Sequence, residues 1–172
     1  MNDSRYYFEK WFKEPLERLY SDEHSGFVIL MISLPLLERY LRSKTGIDES
    51  PQLDSRFHQH LVQMFPALGD VPTAKIFWRI YRHGLLHQAT LKSEQGTVEV
   101  SVRSRATSPI TVLSTSDGWK FQVSPELLSR QVLAEIETHF SIFEAPASAE
   151  HPLSTVTLRQ EHQAFLDGSS RF

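Results

Sequence analysis

Arg82, His83, Gly84 and His87 stand together at the end of an aromatic segment, Phe77-Trp78-Arg79-Ile80-Tyr81, and their types suit phosphate chemistry. Arg carries a permanent charge on a planar fork that matches phosphate oxygens. His is the side chain whose ordinary pKa lets it give or take a proton near neutrality. Gly84 has no Cβ, so it lets a substrate backbone come close or a helix bend. Arg79 and Tyr81, just upstream, join Gly84 as candidate substrate contacts. Aromatic rings such as Trp78 and Tyr81 more often fill a core, although exposed ones stack on RNA bases.

The elements that must position these residues are legible from hydrophobic period. Tyr7, Phe8, Trp11, Phe12, Leu16 and Leu19 recur at three- and four-residue spacing and predict a first helix, which Pro15 should kink or break. A second helix is expected from about Ser25 to Arg42. It is apolar nearly all round until Glu38, stops at the Lys44-Thr45-Gly46 signal, and so reads as the central helix. Ser55 to Phe65 repeats the helical pattern and ends at Pro66, and Pro72-Thr73 opens the helix that carries the motif. After Gln88 the period drops to two. Val98, Val100 and Val102 alternate with polar residues, and Thr111 to Thr115 and Trp119 to Val123 flank the tight-turn signal Ser116-Asp117-Gly118. Ser124-Pro125 then starts a long last helix lined by Leu128, Val132, Ile136 and Phe140. The fold class expected is mainly α, an antiparallel bundle of about five helices with a small antiparallel β-sheet inserted over residues 89–123 and lying outside the bundle. Residues 1–145 form one domain, and 146–172 are expected to be a mobile or partner-docking tail.

Composition narrows the function classes. With 172 residues, 40 % hydrophobic and 23 % charged, the chain can bury a real core. A net charge of −3 argues against nonspecific nucleic-acid binding, which leaves a basic footprint, but allows a local basic patch. With no cysteine there are no disulfides or thiolate metal sites. The amino-terminal residues lack a signal-peptide pattern, and the apolar run from Gly26 to Leu37 falls short of the roughly twenty residues a membrane span needs. A cytoplasmic protein with no membrane association is therefore expected. Neither a phosphate-cradling Gly-rich loop nor a nucleophilic Ser elbow is present, which removes P-loop, kinase and α/β-hydrolase readings.

The spacing Arg, four residues, His occurs at Arg82 to His87, and a related spacing occurs at Arg18 to His24. Context separates them: Arg82 is followed by a polar residue and closes an aromatic helix preceded by long helices, whereas Arg18 is followed by Leu19. The segment Tyr81-Arg82-His83-Gly84-Leu85-Leu86-His87-Gln88 resembles the Arg-polar-Gly-Leu-Leu-His-Gln form of the HEPN superfamily, and the helices over about 5–88 and 125–143 are similar to its bundle. The β-rich insert departs from the common core of that family. The resemblance implies a metal-independent endoribonuclease built at a two-fold dimer interface, where a homodimer supplies two copies of each motif. RNA cleavage through its own 2′-hydroxyl needs a base, an acid and positive charge for the phosphorane oxygens. His87 would be the base or acid, Arg82 the phosphate clamp, and His83 an orienting or assisting group. RNA and an antitoxin or other protein are the partners this implies, stress response and phage defence are the settings, and no cofactor is expected.

Two other readings stand beside it. In the first, a noncatalytic dimeric interaction or nucleotide/RNA-binding module, His87 packs the helix end, Arg82 pairs with an acid and Gly84 is a packing contact. In the second, His83 and His87 at i, i+4 spacing ligate a metal. The second is weaker, because Gly84 stands where the zincin motif has Glu, and His58 and His60 point to different faces of their helix. No metal ligand is therefore assigned.

Overall fold

The computed structural model describes residues 3–46, 53–85, 98–102, 106–115 and 118–144. Helix α1 (Asp3–Phe8), a π-helical turn (Glu9–Lys13) and α2 (Glu14–Leu19) form one uninterrupted helical run. Of the kink or break expected at Pro15, no break occurs; a π turn stands beside it instead. The backbone N–H of Glu14 bonds to the carbonyl of Glu9, a wider turn that absorbs the clash a proline ring would make with the preceding carbonyls. Phe8 and Leu16 from the apolar stripe are buried, and Phe12 and Leu19 pack against the core.

Helix α3 (Gly26–Thr45) ends where the sequence says it should, with Gly46 at φ 64° donating to the carbonyls of Arg42 and Ser43. That left-handed conformation is cheap only for a residue without Cβ. Asp54 caps α4 (Ser55–Met64) by accepting from the backbone of Arg56 and Phe57, and Asp70 caps α5 (Val71–Trp78) by accepting from Thr73. These caps satisfy amide donors that a helix start leaves without partners. A 3-10 turn (Pro66–Leu68) joins α4 to α5. Ser124 caps α6 (Pro125–Thr138). The last helix is then interrupted at His139, with α7 (Phe140–Glu144) continuing beyond it. Thr138 donates its hydroxyl to the carbonyl of Ala134, the back-bonding that bends helices.

Helix α3 is the central element, packing against α2, α4, α6 and α7. Leu30, Leu34, Leu37 and Leu41 on it are fully buried beside Leu128, Val132 and Ile136 of α6. The molecule is thus a mainly helical bundle with a small sheet, as its period changes imply.

The sheet has strands β1 (Val98–Val102), β2 (Ile110–Thr115) and β3 (Gly118–Val123) in the order β1-β3-β2. Thr115 pairs with Gly118, so β2 and β3 form the expected antiparallel hairpin across a two-residue turn. One detail differs from a wholly antiparallel sheet: β1 runs parallel to β3, with Val98 opposite Trp119 and Val102 opposite Val123. The hairpin's returning strand sits between β1 and β2, and because β1 runs opposite to β2 it must run along β3. The sheet is also less separate than its place in the chain suggests, since Ile110, Phe121 and Val123 are buried in the same cluster as the helices. Hydrophobic area is scarce in a small sheet, and one face must find cover. Residues 89–97 of the expected insert and the tail over 146–172 lie outside the described residues.

Candidate functional site

The motif helix changes its winding where the candidate residues begin. α5 passes at Trp78 into a π-helical turn (Arg79–Gly84) that contains Arg79, Tyr81, Arg82, His83 and Gly84. Such wider turns recur at functional positions because they re-aim the side chains they carry. Two aromatic contacts hold this segment. Phe77 lies 4.8 Å from Tyr81, ring centre to ring centre, and 6.1 Å from Phe121 of β3. The Tyr81 hydroxyl donates to the Phe121 carbonyl at 3.4 Å. All three rings are fully buried, so the sheet buttresses the turn that presents Arg82.

Tyr81 therefore serves the core rather than making the substrate contact expected of it, and burial drives its phenol pKa far up, keeping it a neutral donor. Trp78 is likewise core, 2 % exposed. Arg79 is exposed and Gly84 half-buried. The side chain of His83, and His87 altogether, lie outside the described residues.

Arg82 meets a partner the motif does not contain. Its Nε–H donates to Oε2 of Glu38 at 2.6 Å, while Oε1 of the same carboxylate accepts from Nε–H of Arg42 at 2.9 Å. Glu38 and Arg42 lie one turn apart on α3, so the motif turn and the central helix are joined by an Arg–Glu–Arg cluster. The Arg82, Glu38 and Arg42 side chains are 24 %, 13 % and 15 % exposed, which puts the cluster at the rim of the protein rather than in its interior. One signal for it was present in the sequence: Glu38 is the first charge to interrupt the apolar run of α3. Nothing in the sequence says that Arg82, 44 positions away, would reach it.

The same face of α3 carries an apolar ridge. Phe27, Val28 and Met31 are 45 %, 47 % and 42 % exposed, in a helix otherwise rich in buried leucines. At 3.6 residues per turn, Phe27, Met31, Glu38 and Arg42 fall within an arc of about 60°, with Met31 and Glu38 about 10 Å apart along the axis. Phe27 and Met31 thus share an arc of α3 with Glu38 and Arg42, and Val28 lies about 40° beyond it.

A second polar cluster lies on another side of α3. A cavity of about 270 Å³ is lined by Tyr40, Lys44, His60, Gln63, Gln131 and Glu135 among others. Tyr40 Oη–H donates to Glu135 at 2.7 Å, and Lys44 donates to both at 3.1 Å. Burial opposes ionisation of Glu135, but the hydrogen bonds from Tyr40 and Lys44 outweigh it and hold its carboxyl below the usual range. The network is satisfied internally and ties α3 to α6.

The rival pair Arg18 and His24 is split between α2 and the exposed turn after it, where His24 faces Glu23. His58 is buried with Nδ1 2.9 Å from the carbonyl of Asp54, while His60 lines the cavity. Among the described residues no three His, Asp or Glu side chains converge as a metal site would require, and none of the helices is long and apolar enough to cross a membrane. No protein-family model, curated protein or solved structure matches the chain.

Proposed function

We propose that this chain is a HEPN-like, metal-independent endoribonuclease whose site is shared between two copies of the protein. What supports this reading is that Glu38, the partner of Arg82, falls by helical period on the same arc of α3 as the exposed Phe27 and Met31. Pairing two α3 ridges about a dyad removes apolar surface from water and draws the two motif turns toward one another. Arg82 then clamps the phosphate between two subunits and His87 transfers protons as base for the 2′-hydroxyl or acid for the departing 5′-oxygen, with His83 assisting. The setting is cytoplasmic, the partner is single-stranded RNA, and an antitoxin-like protein is the natural regulator in stress response or phage defence.

His87→Ala and Arg82→Ala should each lower RNA cleavage by at least about 100-fold, the scale of one acid–base or electrostatic contribution. Products should carry 2′,3′-cyclic phosphate, DNA should be untouched, and cleavage should persist in chelator because no metal activates water. Full activity in folded His87→Ala protein would exclude the reading.

One observation favours a second reading, a noncatalytic dimeric module: Arg82 gives part of its hydrogen-bonding capacity to Glu38 within its own chain. That reading predicts no cleavage of any RNA by the wild type, with Arg82→Ala altering only stability or dimerisation.

A further inference from the structure

Arg82 and Arg42 arrive from different elements, the motif turn and α3, and each gives its Nε–H to a different oxygen of one carboxylate. Two guanidinium forks converging on one anion is the arrangement with which arginines hold a phosphate: charge-assisted, directional, and organised before the ligand arrives. The three side chains keep 13 % to 24 % exposure, so solvent touches the cluster.

We propose that this cluster is a clamp for the RNA phosphate backbone in which Arg42 is the second arm and Glu38 holds the phosphate's place. The proposal rests on reading Arg82 as a phosphate-binding residue, and it adds Arg42 and Glu38, which the Arg–His motif does not include. The Glu38 carboxylate keeps both guanidinium groups aimed at one point, so little rotamer freedom remains to be lost on binding. An incoming phosphodiester carries the same single charge, shared over two non-bridging oxygens as the Glu38 charge is shared over its carboxylate. It displaces the carboxylate, which swings toward solvent. Glu38 therefore orders the arginines and competes with the ligand for them.

The test uses the full chain and a 2′-O-methyl RNA oligonucleotide, which lacks the attacking hydroxyl and so reports binding alone. Fluorescence anisotropy is followed over a salt series. Glu38→Gln keeps the shape and removes the competing charge. It should tighten binding on the order of tenfold at low salt, the worth of one charge-assisted contact, and steepen the slope of log affinity against log salt by about 0.7, the release expected for one more neutralised phosphate on a single strand. Adding Arg42→Ala to Glu38→Gln should abolish the gain. Unchanged or weaker binding by folded Glu38→Gln protein would overturn the proposal and leave the cluster a structural ion pair. Should Glu38→Gln fail to fold, Arg42→Ala alone decides: at least about threefold weaker binding with a shallower salt slope supports the clamp, and unchanged binding overturns it. Binding and cleavage separate the two readings. A Glu38→Gln gain in a chain that cuts no RNA removes only the nuclease, whereas cleavage by the wild type without any Glu38→Gln gain removes only the clamp.

Discussion

Replacing Phe121 by Ala should loosen the turn that carries Arg82 without touching any charged residue. Phe121 is fully buried, packs 6.1 Å from the Phe77 ring, and sits in β3 opposite Val100 and Val112. Large-to-small changes at such sites lose the transfer free energy of the ring and leave a cavity, about 3–5 kcal/mol together. Against a total stability of order 5–15 kcal/mol this is a large fraction, and for a domain of this size it lowers Tm by roughly 10 °C or more. Tyr81→Phe is the matched control. Its hydroxyl meets the Phe121 carbonyl at 3.4 Å, a long contact, so its removal should cost no more than about 1 kcal/mol. Thermal unfolding followed by circular dichroism reads both variants, and hydrogen exchange should show the amides of residues 79–84 opening faster in Phe121→Ala. Two results would count against a packing role for Phe121. An unchanged Tm in Phe121→Ala would mean that the sheet does not buttress the motif. A Tyr81→Phe cost equal to that of Phe121→Ala would mean that a polar contact, not packing, holds it.

The ridge on α3 gives a second prediction: sedimentation equilibrium should find a dimer of the wild type at micromolar concentration, and Met31→Glu should raise its Kd about thirtyfold. That figure is the loss of two half-exposed side chains at about 1 kcal/mol each; a monomeric wild type, or a Met31→Glu protein that dimerises as well, refutes it. The third concerns pH. Burial is the first cause that lowers the pKa of His58, outweighing its backbone hydrogen bond to Asp54. A base depressed in the folded state contributes stability that is full above its unfolded value near 6.5 and is lost as pH falls through that value toward the folded one. Stability to urea should therefore decline below about pH 6.5, and His58→Leu should flatten that slope; an equally steep slope in the variant would show that other groups carry it.

Sequence alone determined the elements of this protein, because their causes are local. A helix cap needs an acceptor within three residues of its amides, as at Asp54, Asp70 and Ser124. A two-residue hairpin turn needs only its own neighbours, and an apolar stripe recurs every three or four positions. Those signals located α3, α4, α5, α6 and the β2–β3 hairpin to within a few residues. They also exposed the motif, since Arg82, His83, Gly84 and His87 are neighbours in the chain. Pro15 marks the distortion expected of it in one of the two forms: the helix does not end there, but a π turn precedes the proline in an unbroken run.

Tertiary structure decided everything that depends on residues far apart in the chain. Whether Tyr81 faced substrate or core was a matter of which side the sheet covered, and Phe121, forty positions later, settled it for the core. The place of β3 between β1 and β2, and the parallel pairing of β1 with it, are long-range choices that alternation along a strand does not encode. The partner of Arg82 had the longest reach of all. Many acidic residues could in principle have met that guanidinium, and the choice of Glu38 was made by how α5 and its π turn cross α3. Side-chain period states which face of a helix seeks cover; only the packed arrangement of all the faces states which two charges end up 2.6 Å apart.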